Sequence, residues 1–420
     1  MIDICLLLEG TYPYVTGGVS TWVHSLISGL PEFKFGLVHF SNSEKVAMPK
    51  FILPKNLVHL ENIPLNIRKD SIHLDALLSR IPEAKVYHAL STGFAGLLAT
   101  RKKQMTNSPM ILTEHGIYWH EIELGVDELE CGFKIIHSKD GRIKLGRSWE
   151  EWLFRFKLFA RTAYEAADRI TTVCNKNRDM QISQGAPASK CEVIANAVDM
   201  LPFRHINKKF FENDTINIGL VGRVTSIKDI KTFIKACALV KERLPKSQFY
   251  VIGPTDQDPK YFKECRKLAS SLNLSELHFT GDVDPMDYYE ILDVAVLTSQ
   301  SEGQPFALIE AMAAGIPVVA TDVGGCRELL QPAPEMNCAA GILCPAGDAL
   351  RVSQAIQKLC TNETLWNSLS RCGKQIVATR HREKLFLDAY RNLYAKYLVL
   401  KNLQMYAPSR NRLTQQIEFA

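Results

Sequence analysis

The order of apolar runs constrains this chain more than any other feature. A short apolar run, a glycine-bearing loop and an amphipathic helix open it, and the same order starts again past residue 215. Ile4 to Leu8 is uninterrupted in its apolarity, as a strand covered on both faces must be. Glu9-Gly10-Thr11-Tyr12-Pro13-Tyr14 and Gly17-Gly18 then form a loop, and Val19 to Leu30 carries Val19, Trp22, Val23, Leu26, Ile27 and Leu30 on one helical face. Phe35 to Phe40, Val86 to Ala89 and Met110 to Thr113 read as further strands. Ile216-Asn217-Ile218-Gly219-Leu220-Val221-Gly222 is the second start. It predicts a helix over 229–244, a strand over 248–252, a helix over 259–272, a strand over 277–280, a helix over 285–292 and a strand over 293–298. Strands that alternate with helices make parallel sheets, so the fold class is α/β with Rossmann-like domains. Pro202 to Thr215 is polar and charged and reads as a linker, which divides the chain into domains at 1–207 and 208–382. A last segment, 383–420, holds Leu385, Phe386, Tyr390, Leu393, Tyr394 and Tyr397 at helical spacing, followed by a polar tail expected to fray.

Bulk properties exclude little beyond this. At 420 residues there is room for two ordinary domains. The formal net charge of +5 allows an anionic ligand or a mild preference for a membrane surface, and gives no case for nucleic acid. The eleven cysteines are scattered without a C-x-x-C pair, which points to reduced, mostly buried thiols in a cytoplasmic protein and to neither disulfides nor a metal site. Met1 to Leu8 is too short and too acidic for a signal peptide, and no apolar run reaches 18 residues, so no membrane span is expected.

The residues that could carry chemistry sit where strands pass into helices. Glu302 and Glu310 lie eight positions apart across a loop-to-helix junction, with Gln304, Pro305, Phe306 and Ala307 between them. Pro305 suits the first helical turn, Gly315 a left-handed cap, and Pro317 prevents continuation before the strand Val318 to Thr321. The unpaired amides of residues 305 to 308 would form an anion site flanked by two carboxylates, a set that suits a nucleotide-sugar. Taken alone, the pair fits equally well a surface helix with solvated glutamates. After the first strand of the second domain, Arg223 and Lys228 can converge on phosphate oxygens, although solvated cations are the commoner fate of such residues. Gly17 and Gly18 allow close approach of a ligand at the first domain's strand-to-helix turn. His115 follows the strand Met110 to Thr113, where ligands bind in open α/β sheets. No G-x-G-x-x-G or H-E-x-x-H occurs, which disfavours nicotinamide, flavin and zinc chemistry. Asp282-Val283-Asp284 matches a D-x-D string, but Asp284-Pro285 reads instead as a helix start, and no metal is expected.

The string from Glu302 to Pro317 resembles the E-x7-E signature of retaining glycosyltransferases of family 4. That resemblance implies a GT-B fold: two facing Rossmann-like domains, with a C-terminal helix crossing back to brace the first. It implies that Glu302 touches donor-sugar hydroxyls, that Glu310 binds the ribose and that the amides near Pro305, Phe306 and Ala307 hold the diphosphate. His115 would then steady the donor sugar, and Arg223 and Lys228 would stand in for a metal, so no divalent cofactor is implied. In the family a glycine usually follows the lysine, whereas this chain has Asp229. The segment Phe279 to Val283 falls where the family's base-binding loop lies. Cys5 to Tyr14, Gly17 to Val23, Leu112 to Tyr118 and Ala163 to Asp168 are similar to the PelF-type subgroup of Pel exopolysaccharide glycosyltransferases. That similarity implies a UDP-hexose donor such as UDP-glucose or a UDP-N-acetylhexosamine, and a glycan or lipid-linked acceptor. It also implies a place at the inner face of the cytoplasmic membrane, with an inner-membrane polysaccharide synthesis complex as partner. The competing readings are an epimerase or phosphorylase on the same fold, or a non-catalytic UDP-sugar-binding component.

Overall fold

The computed structural model describes residues 1–41, 48–65, 74–125, 149–211, 215–331 and 338–406. The first sheet contains β1 (Ile2–Glu9), β2 (Phe35–Ser41), β3 (Leu57–Pro64), β4 (Ala84–Ala89), β5 (Met110–Glu114), β6 (Arg169–Thr172) and β7 (Cys191–Val193). Its order is β3-β2-β1-β4-β5-β6-β7, and every pairing is parallel. The second sheet contains β8 (Ile216–Val221), β9 (Ser247–Ile252), β10 (Leu277–Gly281), β11 (Val294–Leu297), β12 (Val318–Thr321) and β13 (Gly341–Cys344), again all parallel, in the order β10-β9-β8-β11-β12-β13. The apolar runs at β1, β5, β11 and β12 are buried along their length or nearly so, because helices cover both faces. In both sheets the winding reverses beside the first strand, β1 or β8. A crevice opens there beyond the carboxyl ends of the strands.

The helices at Gly18–Gly29, Ile230–Arg243 and Pro259–Ser271 follow the predicted ones to within a residue or two. The predicted helix over 285–292 is only Met286–Tyr289, after which the chain turns into β11. Four strands escape the sequence reading: β3, whose residues are mostly only partly buried at the sheet edge, and the short β6, β7 and β13.

The long helix Glu383–Tyr406 crosses back to the first domain. It is reached through a bridge between Val198 and Arg382, with Val198 N–H donating to the His381 carbonyl at 2.9 Å and Glu383 N–H to the Val198 carbonyl at 3.1 Å. Phe386, Tyr390, Leu393, Tyr394 and Tyr397 enter the same buried cluster as Ile4, Leu6, Trp22, Leu26 and Val86. The tyrosine hydroxyls are placed as well as the rings. His88 lies 2.7 Å from the Tyr394 hydroxyl through Nδ1 and 2.7 Å from Thr113 Oγ1 through Nε2, while Tyr390 reaches Thr113 and Thr171 at 3.2 and 3.1 Å. The tail at 407–420 lies outside the described residues.

One expectation changes. The cysteines are not all reduced: Cys338 and Cys372 form a disulfide, Cα to Cα 6.0 Å, tying the segment before β13 to the helix Glu363–Arg380. Packing brings together residues 34 apart in sequence, which spacing alone does not reveal. Seven of the eight described free cysteines are buried. Among the described residues, no helix is long and apolar enough to cross a membrane.

Replacing Tyr394 by Phe keeps the ring and removes the partner of a buried imidazole nitrogen. Denaturant titration should show a loss of about 1–2 kcal/mol. An unchanged midpoint would mean that this bond adds nothing to the brace.

Candidate active site

A cleft of about 1040 Å³ lies between the two domains at the carboxyl ends of their strands. Gly17, Gly18, His115, Arg223, Lys228, Glu302, Gln304, Pro305, Phe306, Ala307 and Glu310 all line it. Residues from four separate loops are thus brought to one place.

The signature helix is Phe306–Ala314. Pro305 is its extended N-cap and Gly315 its left-handed C-cap at φ 79°, which places the helix start one residue later than the sequence reading. The amide set is smaller than expected. Pro305 has no N–H, and Leu308 N–H donates to the Pro305 carbonyl at 3.2 Å, so Phe306 and Ala307 supply the free donors. Glu310, in the second turn, is half-buried; its Oε2 accepts from the Tyr289 hydroxyl at 2.7 Å, and Oε1 makes no hydrogen bond to a described residue. Burial pushes its carboxyl above the ordinary range, against the pull of the tyrosine.

Glu302 is held from two sides. Lys228 Nζ lies 2.5 Å and Ser299 Oγ 2.6 Å from its Oε1, and the side chains of the ion pair are only 19% and 10% exposed. A cation paired in this way keeps its position without solvent screening it away. Arg223 Nη1 donates to Gln257 Oε1 at 3.0 Å. Asp229, where the family has glycine, adopts φ 45°, a left-handed conformation that aspartate tolerates through a local bond. Its carboxylate accepts from Thr232 N–H at 3.3 Å and Thr232 Oγ1 at 2.7 Å, capping the helix Ile230–Arg243. The substitution therefore keeps the turn and adds a cap.

On the first domain, His115 is buried edge-on to Trp22, ring centroids 4.8 Å apart, and its Nε2 has no partner among the described residues. Burial pushes the imidazole down to about 4, so it is neutral at physiological pH. Neighbouring Glu114, whose own carboxyl burial pushes up, is bound by Thr92, Tyr164 and Gln181 and belongs to the core. Gly18 faces the Phe306 ring, 3.1 Å from where a Cβ would sit, so the glycine loop packs on the start of the signature helix.

Gln304 is both lining and strut. Its Oε1 accepts from Asn196 N–H and its carbonyl from Asn196 Nδ2, each at 2.7 Å, across the domain boundary. Gly303 is placed closer still, for a Cβ there would lie 2.0 Å from the His115 carbonyl. Gly324, at φ 50°, would put one 1.6 Å from the Glu302 carbonyl. Asp282 pairs with Lys50 at 2.8 Å and accepts from Thr16, while Asp284 accepts from Met286 N–H as a cap. Among the described residues no group of three or more His, Cys, Asp or Glu could hold a metal ion. The sequence reading missed Gly253, Pro254 and Gln257, which line the cleft beyond β9. The rule that located Gly222, glycine at a strand's carboxyl end, would have found them.

Compared with known proteins, this architecture is that of GT-B glycosyltransferases. Sucrose-phosphate synthase from Thermosynechococcus elongatus superposes with a TM-score of 0.71 at 18% identity, covering 95% of this chain and 100% of that one. HepE of Anabaena, solved in complex with UDP and glucose, gives 0.71 at 16% identity, covering 94% and 100%. Residues 215–362 match the profile of glycosyl transferases group 1, and residues 2–75 and 69–189 match a domain of unknown function, DUF3492. Over residues 215–362 the second domain is therefore similar to the group 1 glycosyl transferases. Among sequence relatives, the capsular polysaccharide biosynthesis glycosyltransferase CapM of Staphylococcus aureus is 24% identical over 49% of this chain and 54% of that protein. The N,N'-diacetylbacillosaminyl-diphospho-undecaprenol alpha-1,3-N-acetylgalactosaminyltransferase of Campylobacter jejuni is 24% identical over 63% and 69%. The chain spans about half the length of the first of these relatives.

Two measurements test the local physics. Folded His88, held down to about 3, and His115, at about 4, bind fewer protons than the unfolded chain, whose histidines titrate near 6.5. Their contribution to stability is thus complete above about pH 6.5 and declines as pH drops toward 4. Thermal unfolding should show Tm decreasing from pH 7.5 to 5, with a shallower slope in His88→Gln; equal slopes would contradict the assignment. Asp229→Ala should lose about 1–2 kcal/mol from the missing cap and the strained backbone, and Asp229→Gly less.

Proposed function

We propose that the chain is a retaining glycosyltransferase that moves a hexose from a UDP-sugar to a glycan or lipid-linked acceptor in bacterial envelope polysaccharide synthesis. The observation that carries this reading is the meeting, in one cleft, of the Lys228–Glu302 pair, Arg223, the free amides of Phe306 and Ala307, and the neutral His115. The amides and cations suit a diphosphate, and the carboxylates beside them suit sugar hydroxyls.

In this mechanism the second domain binds the nucleotide, with Glu310 on the ribose and the two amides on the diphosphate. Gly17 and Gly18 let the first-domain loop approach the phosphates. Glu302 and His115 position the sugar. The acceptor oxygen bonds to the anomeric carbon as the carbon–oxygen bond to the diphosphate breaks, from the same face. The acceptor's proton passes to the departing phosphate, so the products are the glycoside and UDP. Arg223 and Lys228 balance the leaving charge in place of a divalent ion. The uridine preference draws support from HepE, solved with UDP and glucose, and the polysaccharide product from the capsular relative. The similarity of Cys5 to Val23 and Leu112 to Tyr118 to the PelF-type subgroup supports an exopolysaccharide product made at the inner face of the cytoplasmic membrane.

Calorimetry with UDP, GDP and ADP, with and without chelator, tests the donor. Selective, chelator-insensitive UDP binding is expected, and a metal requirement would count against the reading. Glu302→Ala should cut turnover by about a hundredfold or more while UDP still binds. Arg223→Ala should weaken UDP by roughly tenfold and leave uridine nearly unchanged. Equal loss of both ligands would remove the phosphate contact from the mechanism.

A further inference from the structure

The first-domain wall of the cleft has features that the donor contacts leave unused. His39 lies two residues before the end of β2 and Asn62 two before the end of β3, and the two are direct partners in the parallel register. His39 Nδ1 lies 2.6 Å from Asn62 Oδ1. An amide oxygen only accepts, so Nδ1 carries the proton and Nε2 presents a lone pair. His39 is 4% exposed, lines the cleft, and its Nε2 has no partner among the described residues. Burial pushes its imidazole down from the ordinary value, which keeps the ring neutral although the Asn62 bond pulls the other way. A buried acceptor left open in this way costs stability unless a ligand or water fills it.

Its surroundings narrow the ligand. Tyr14 meets the His39 ring edge-on, centroids 4.8 Å apart. Phe51 packs against Tyr12 at 5.2 Å and His24 at 5.3 Å, and Tyr14 and Phe51 both line the cleft while remaining half-buried. Gly10, Tyr14, His39, Ser41, Phe51 and Asn62 form this wall without a formal charge among them. The cations that line the cleft, Arg223 and Lys228, belong to the second domain.

We propose that this pocket takes the terminal sugar of a neutral glycan, one of whose hydroxyls donates to His39 Nε2 while the ring packs on Tyr14 and Phe51. The proposal rests on the glycosyltransferase reading and names the acceptor class for it. A lone-pair nitrogen receives a hydroxyl proton and repels an anion, and aromatic faces match the apolar face of a pyranose. An isoprenoid diphosphate would need cations on this wall, whereas the nearest first-domain cation, Lys50, is taken up by Asp282 at 2.8 Å.

The test is ligand-observed saturation-transfer NMR with maltose, cellobiose and N,N'-diacetylchitobiose, recorded with and without UDP, and with farnesyl diphosphate as competitor. At least one disaccharide should bind. His39→Leu should weaken it by about tenfold and Tyr14→Ala by about threefold, with UDP affinity within about twofold of wild type. Tyr14 is half-buried in a loop, so its variant carries the test should the buried leucine prevent folding. Failure of all three disaccharides, unchanged affinity in the variants, or displacement by farnesyl diphosphate would each overturn the proposal. Loss of UDP binding in the wild type would instead remove the donor reading, and the spectra recorded without UDP would still decide the pocket.

Discussion

The geometry of the cleft depends on one contact between backbones. Gly303 passes the carbonyl of His115 at a distance that no side chain allows, and Gly324 and Gly325 press on the same loop from behind. Glu302 and Gln304 flank that glycine, so both are fixed relative to the first domain at its closest point of contact. Gln304 locks the position through Asn196, and Glu328 accepts from the first two amides of the helix Asn175–Ser183. His115, from one sheet, and Glu302, from the other, then face one volume without a flexible element between them. Positioning of that kind is worth more to a displacement reaction than any single added contact.

Charge is arranged with comparable economy. Lys228 is neutralised by Glu302, Arg223 is held by Gln257, and the histidines that line the cleft are neutral. Buried carboxylates elsewhere in the first domain are satisfied structurally. Glu9 accepts from Ser91 and from Ala95 N–H, and Glu114 from three side chains. Among the described residues, polar atoms that line the cleft without a partner include His115 Nε2, His39 Nε2, Asn196 Oδ1, Thr225 Oγ1, the amides of Phe306 and Ala307 and one oxygen of Glu310.

Much of this was legible in the sequence because the signals were local. The apolar runs located nine of thirteen strands, and the strand-end rule put Gly17, His115, Arg223 and Lys228 past the ends of strands, where all four line the cleft. What escaped depends on distant partners. Nothing near Gln304 shows that its amide meets Asn196, and nothing near Cys338 points to Cys372. β6 and β7 are too short for a periodicity, and β3 lies at the sheet edge, where the apolar pattern weakens. Asp229 looked like a departure at the level of the motif. It is accommodated because a left-handed backbone tolerates aspartate when the carboxylate bonds the helix it begins.

The returning helix has a consequence for how the molecule is made. The last strand of the first sheet ends at Val193, but the rings of Tyr390, Tyr394 and Tyr397 that close this sheet's core are synthesised almost two hundred residues later. At ribosomal speeds that interval lasts roughly ten to forty seconds. Throughout it Trp22, His88 and Thr113 lack the aromatic cover and the hydroxyls that satisfy them in the finished protein. The domain that starts first on the ribosome is the one completed last, and a nascent chain arrested near residue 380 would carry an assembled second sheet beside an uncovered first one.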